Sequence, residues 1–168
     1  DDLVSTLVTV EAEGDRLPKQ SIIDFLRQLF NAGGDTTYRA TACLLAAILS
    51  RPELIERISA DRSLIPKAIE EVFRWEGPVM VVQRVAVRDT EITGVPIPKG
   101  ALVDVMLGAA NRDPAKYDNP DDFDPQRVQQ ARHLAFAQGP HVCLGQHLAR
   151  VEITRAINSL IDELPNLR

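Results

Sequence analysis

Cys143 sits in the run FAQGPHVCLGQ (residues 136–146), where Gly139, Pro140 and Gly145 bracket a single thiol just before a helical pattern begins. Backbone N–H groups in such a loop can point at the sulfur, and the positive end of the following helix favours negative charge, so the position suits a thiolate. A thiolate can serve as a nucleophile or a metal ligand, while a lone cysteine is often only a small buried hydrophobe. All three histidines, His133, His141 and His147, share this segment and would make four candidate zinc ligands with Cys143. Their spacing, H-x7-H-x-C-x3-H, matches no familiar knuckle or ribbon and leaves Phe136 and Gly145 without a purpose. A cysteine hydrolase needs a histidine oriented by Asn or Asp.

Two further stretches stand out, and the hydrolase reading accounts for neither. AGGDTT (32–37) interrupts a long helical pattern with two glycines, each costing about 0.8–1 kcal/mol relative to alanine. Glycines there let a flat ligand approach the backbone, and Asp35 and Thr36 set an acid and a hydroxyl beside the gap. A helix–helix crossing with a solvated polar face is the plainer reading. In EEVFR, Glu71 and Arg74 lie at i,i+3 on one helical face and can pair, as many weak surface pairs do.

Elements must position these groups. Residues 2–12 have helix-like apolar spacing that breaks at EGDRLPKQ. From Ser21 to Leu49 apolar residues recur at helical intervals, and roughly 30 residues would span about 45 Å. Ser50 and Glu53, with Pro52 between them, form an S-x-x-E capping pattern for a short helix to about Ala60. A second helix, over about 64–75, ends at EGP. Val79–Val87, Glu91–Pro98 and Leu102–Leu107 read as short strands of one small antiparallel sheet at about 79–107. The Asp-, Asn- and Pro-rich stretch at about 111–132 reads as a packed meander with one helical turn after Asp113. Leu144, Leu148, Val151, Ile157, Leu160, Ile161 and Leu164 predict an amphipathic final helix over about 144–163.

Composition narrows the function classes. The chain has 168 residues, 45% of them hydrophobic and 26% charged, which fits one globular domain with a core. A net charge of -5 with interspersed signs argues against nucleic-acid binding. Two distant cysteines, Cys43 and Cys143, make no disulfide framework, so a reducing, cytoplasmic location is expected. The longest apolar run falls well short of the ~20 residues of a membrane span, and no signal peptide is recognisable. A first residue other than Met leads one to expect processing or a fragment.

These motifs together resemble the cytochrome P-450 superfamily, the haem-thiolate monooxygenases, and more closely its bacterial soluble type. Phe136-x-x-Gly139-x-His141-x-Cys143-x-Gly145 is similar to the family's haem-binding loop, Glu71-x-x-Arg74 to its helical pair, and Ala32-Gly33-Gly34-Asp35-Thr36-Thr37 to its oxygen-activation motif. The implied fold is mainly α, the C-terminal part of the P-450 fold: a long central helix, several shorter helices and a small antiparallel β-sheet, as one domain over 1–168. Members of the family are longer, so helices forming the distal lid are expected before Asp1 and a substrate-contacting hairpin after Arg168.

Carried over by resemblance, Cys143 is the iron ligand of haem b (iron protoporphyrin IX), and Phe136 packs beside the haem on the thiolate side. His141 and Arg84 hold the propionates. Gly139 and Gly145 shape the loop, and Ala32 and Gly33 border the haem. Asp35 and Thr36 are the acid–alcohol pair that delivers protons during O2 activation; its presence favours the reductive dioxygen route over peroxide use. Arg127 joins Glu71 and Arg74 in a buried network. Ala137 stands where glycine is frequent. The implied activity is insertion of one oxygen atom of O2 into a hydrophobic small molecule, with Leu29, Phe30, Val79, Met80, Val81 and Val82 on the substrate side. Electrons would come from a ferredoxin or flavodoxin-like donor and an NAD(P)H-dependent reductase, docked on Arg132, His133, His147 and Arg150. The alternative is a truncated, non-catalytic haem-binding or structural fragment.

Overall fold

The computed structural model describes residues 2–12, 14–128, 132–164 and 167; positions 129–131 of the expected meander lie outside them. The fold is mainly α. Packing divides the chain into two compact units, Asp1–Thr36 and Thr37–Arg168.

The first unit opens with α1 (Leu3–Thr9), whose Asp2 cap accepts the Ser5 amide at 2.8 Å, satisfying one of the donors left free at a helix start. The expected break after it is a hairpin, β1 (Glu11–Ala12) against β2 (Asp15–Arg16), turned through Gly14 at φ +87°. Helix α2 (Lys19–Leu49) then begins and continues without interruption through Gly33 and Gly34 into the second unit.

In the second unit, the C-terminal part of α2 contributes Ala40, Leu44, Ala47 and Ile48 to a core shared with α3 (Pro52–Ala60), α4 (Leu64–Glu76) and α6 (Gln146–Glu163). Helix α4 buries Ile65, Ala68, Ile69, Val72 and Phe73, a stripe at helical spacing. Helix α6 answers with Ile153, Ile157 and Ile161, four apart and therefore on one face. Each such aliphatic side chain contributes about 1.5–3 kcal/mol by leaving water.

Three expectations are corrected here. Ser50 does not cap α3: its hydroxyl donates to the Ala47 carbonyl at 3.1 Å and closes α2, while Arg51 occupies the cap position without a side-chain bond. The single sheet is two separate antiparallel pairs, β3 (Val82–Val85) with β6 (Leu102–Val105) and β4 (Thr90–Ile92) with β5 (Val95–Ile97). The expected strand 91–98 is therefore a hairpin, reversed at Thr93 (φ 49°) and Gly94 (φ 83°), two successive left-handed residues of the kind that tight hairpin turns demand. Finally, the apolar stripe assigned to α6 is split. Ile157 and Ile161 are buried, but Leu144, Leu148 and Val151 are 76%, 61% and 56% exposed and share a face beginning beside Cys143.

A four-residue helix, α5 (Leu107–Ala110), leads into the meander, where the Lys116 and Tyr117 amides donate to the Asp113 carbonyl in the expected helical turn. Among the described residues no helix is long and apolar enough to cross a membrane.

Candidate functional site

Glu71 and Arg74 form no surface pair. Both are about 1% exposed, and the guanidinium grips the carboxylate bidentately, Nε to Oε2 at 2.8 Å and Nη2 to Oε1 at 2.7 Å. The remaining Arg74 donors reach the backbone carbonyls of Asn111, Pro120 and Asp122 at 3.1, 2.7 and 2.8 Å. Arg127 joins at Glu71 Oε1 (3.1 Å) and binds the Asn119, Asp122 and Asp118 carbonyls. The Asp124 amide donates to Glu71 Oε1 at 3.0 Å. The expected network is thus assembled, and it organises a segment that has little regular structure of its own.

The segment continues into the cysteine loop. The buried Asn111 side chain accepts the Leu134 amide at 2.7 Å, fixing the chain just before Phe136. Ala137 and Gly139 then take left-handed conformations, φ 56° and 78°, and a 3₁₀ turn at Gly139–His141 delivers the chain to Cys143. The Cys143 amide donates to the Phe136 carbonyl at 2.9 Å, closing the loop, and Gly145 is the N-cap of α6. Amide donors aimed at the sulfur, expected from the spacing, are not formed among the described residues. The 18-residue helix α6 starts three residues after Cys143.

Glycine adopts a left-handed backbone freely, whereas alanine at position 137 costs about 1–2 kcal/mol. Ala137→Gly is accordingly expected to raise stability by about 0.5–1 kcal/mol, after offsetting glycine's greater unfolded-state freedom. Urea unfolding of the two proteins side by side measures it.

Phe136 packs on Phe73 of α4 with ring centroids 4.5 Å apart, and the Arg150 guanidinium lies 4.6 Å over the same ring. Arg150 in turn chelates Glu70, with Nη2 to Oε2 at 3.0 Å and Nε to Oε1, and its Nη1 binds the Gln146 carbonyl at 3.0 Å. His133, 4% exposed, meets Glu70 Oε2 through Nε2 at 3.1 Å. Its Nδ1 accepts the Ala135 amide, which assigns the ring proton to Nε2. This corrects the expected docking patch: His133 and Arg150 turn inward on Glu70, leaving Arg132 and His147 exposed.

Burial alone would raise the Glu70 pKa, but the hydrogen bonds from His133 and Arg150 and the charge of Arg150 outweigh it and hold the carboxyl at about 2. Because the folded value lies below the unfolded one, this contribution is fully present above about pH 4.5 and is lost as pH falls toward 2. Between pH 5 and 3 the stability of Glu70→Gln is expected to fall less steeply than that of the parent, as denaturant midpoints at successive pH values will show.

The remaining site residues are distributed as follows. His141 and Cys143 are exposed, and both cysteines are free thiols. A side chain built at Gly139 or Gly145 would meet nothing within 4 Å, so the loop presents its thiol on an open face beside the apolar Val142 and Leu144. Arg84 projects exposed from β3, donating to the Gln83 carbonyl at 2.8 Å. In the first unit, the Thr36 hydroxyl donates to the Ala32 carbonyl at 2.7 Å, and positions 33 and 34 likewise have open space around a notional Cβ. Among the described residues no three His, Cys, Asp or Glu side chains gather as a metal-ligand cluster, so the zinc alternative is not assembled. A soft thiol donor, an open glycine-lined face and an apolar surround instead suit a flat iron macrocycle held by one sulfur. Sequence reasoning missed Glu70, whose partners lie 63 and 80 positions away, and its signal was only a second acid beside Glu71.

Comparison with known proteins agrees with this geometry. The cytochrome P450 family model matches residues 1–164. Cytochrome P450 133B1 of Xylella fastidiosa is 38% identical over 167 residues, covering 99% of this chain and 41% of the relative. The biotin biosynthesis cytochrome P450 of Bacillus subtilis is 39% identical over 166 residues, covering 99% and 42%. The crystal structure of CYP109E1 from Bacillus megaterium with testosterone superposes with a TM-score of 0.93 at 32% identity, over 98% of this chain and 46% of that one. The chain thus spans about two fifths of the length of these curated relatives. With a shared fold and the family's motifs carried on the elements that position them, the chain belongs to the cytochrome P450 family.

Proposed function

We propose that the chain is the thiolate-bearing part of a haem-dependent monooxygenase that inserts one oxygen atom of O2 into a hydrophobic small molecule. The observation that carries this reading is the exposed Cys143 thiol, presented by a left-handed loop at the start of α6 in a chain of this family. Haem b bound there would supply O2 activation at its iron.

The chain's own groups have distinct tasks. Cys143 would hold the iron by its sulfur, and Gly139 and Gly145 keep the surface of the loop free of side chains. His141 and Arg84 would donate hydrogen bonds to the two propionates. Phe136 would cover the thiolate side, and the family motif alone assigns Ala32 and Gly33 to the haem border. Thr36 and Asp35 move protons: the Thr36 hydroxyl now donates to Ala32 O, so Oγ1 has lone pairs left to accept a proton before it passes its own onward. Val79–Val82 would supply an apolar substrate lining, to which the family resemblance adds Leu29 and Phe30. The steroid held by the Bacillus megaterium relative is apolar too, in keeping with that class. Electrons would arrive from a ferredoxin or flavodoxin-like donor served by an NAD(P)H-dependent reductase.

The test is spectroscopic. Haem-loaded, reduced chain treated with carbon monoxide should show the red-shifted Soret band of thiolate ligation, followed by NAD(P)H-coupled turnover with a ferredoxin system. Absence of the band in folded, haem-loaded protein sinks the reading. The band without turnover supports the second reading, a haem-binding piece that is not itself a catalyst, which the two-fifths span favours.

A further inference from the structure

Three segments remote in sequence converge on one carboxylate: Glu70 from α4, His133 from the chain entering the cysteine loop, and Arg150 from α6. Arg150 has a long, rotamer-rich side chain, and nothing about a helix surface alone would lay it across a phenylalanine. It lies over Phe136 because both Nε and Nη2 are tied to Glu70 while Nη1 is tied to Gln146 O. Phe136 thereby contacts the Phe73 ring at 4.5 Å, the Arg150 guanidinium at 4.6 Å and the His133 ring at 5.8 Å. The carbonyl of that same Phe136 accepts the Cys143 amide. A contiguous chain of contacts therefore runs from the Glu70 carboxylate to the backbone of the cysteine.

We infer that Glu70 is a positioning residue for the cysteine loop, fixing Phe136 through Arg150 and His133 and so setting where Cys143 is presented. Glu71, its neighbour, does different work: it faces the meander through Arg74 and Arg127 and touches neither Arg150 nor His133 through any bond described above. Two adjacent acids on one helix thus serve two different segments, the first steering the thiol and the second anchoring the segment that precedes it. Only the haem arm of the test below depends on the proposed function.

The experiment compares Glu70→Ala, Glu70→Gln and the parent, by amide hydrogen exchange in the 168-residue chain without haem. Loss of the carboxylate should speed exchange in peptides covering 136–145 by about tenfold while α3 peptides stay within about twofold. Equal acceleration in both regions, or none at 136–145, overturns the inference. Should the alanine variant fail to fold, Glu70→Gln, which preserves size and one hydrogen-bonding oxygen, carries the same comparison. In haem-loaded protein, the reduced carbon monoxide complex should shift part of its Soret intensity from the thiolate position to that of a neutral or lost sulfur ligand, Gln less than Ala. An unchanged ratio in both variants also counts against it. A parent lacking the thiolate band would defeat the proposed function, while the exchange result would still decide the role of Glu70.

Discussion

Arg74→Ala is expected to cost about 3–5 kcal/mol, because it removes the bidentate partner of a buried Glu71 carboxylate, which then keeps only Arg127 and the Asp124 amide, and leaves the Asn111 and Pro120 carbonyls without that donor. Whole domains are stable by only about 5–15 kcal/mol, so the variant should sit near the edge of folding. Arg74→Lys should recover little. Its ammonium keeps the charge but cannot span two carboxylate oxygens and three carbonyls from one planar fork. Urea unfolding gives the magnitude, and limited proteolysis should cut first within 111–127. A loss under about 1 kcal/mol would mean that the network is dispensable. Haem loading should fail in this variant as a consequence of lost structure, with no contact to the cofactor required.

Cys143→Ser is expected to do the reverse: abolish the thiolate Soret band completely and leave the fold almost untouched. The side chain is exposed, and its backbone bond to the Phe136 carbonyl survives any substitution that retains the N–H. Stability should therefore move by no more than about 0.5 kcal/mol. Circular dichroism and thermal unfolding establish the first half, the reduced carbon monoxide spectrum the second. Serine preserving the red-shifted band would remove Cys143 as the sulfur ligand. Together the two variants separate a residue that builds the site from one that does the binding.

How legible these roles are in sequence follows from the range of the forces involved. Helix α2 and helix α4 are readable because their periodicity is local, and the Glu71–Arg74 pair because its members are three residues apart. The pair's burial is not local: i,i+3 spacing looks the same on a solvated surface, and only the carbonyls of the meander distinguish them. Position 137 shows the converse, an alanine in a glycine's conformation that no propensity would choose. The β4–β5 hairpin hides because Thr93-Gly94 is a weaker turn signal than Asn-Gly, and alternation around it looks continuous. Helix α6 misleads through surplus: it has two apolar faces, and sequence cannot say that Ile153 points into the core while Leu148 does not. Glu70 stays invisible for a simpler reason, since its partners are brought to it only by tertiary packing.

Arg74 and Arg127 hold the meander chiefly by main-chain oxygens, at Asn111, Asp118, Asn119, Pro120 and Asp122, with the Tyr117 ring lying under the Arg74 guanidinium. Every amino acid carries that oxygen. The identity of most residues between 111 and 122 should therefore drift freely under mutation, while their number should not: one inserted or deleted residue would carry the carbonyls out of reach of both guanidinium forks at once. The stretch is written in spacing more than in letters, and a library of single-residue insertions there should be far less tolerated than a library of substitutions.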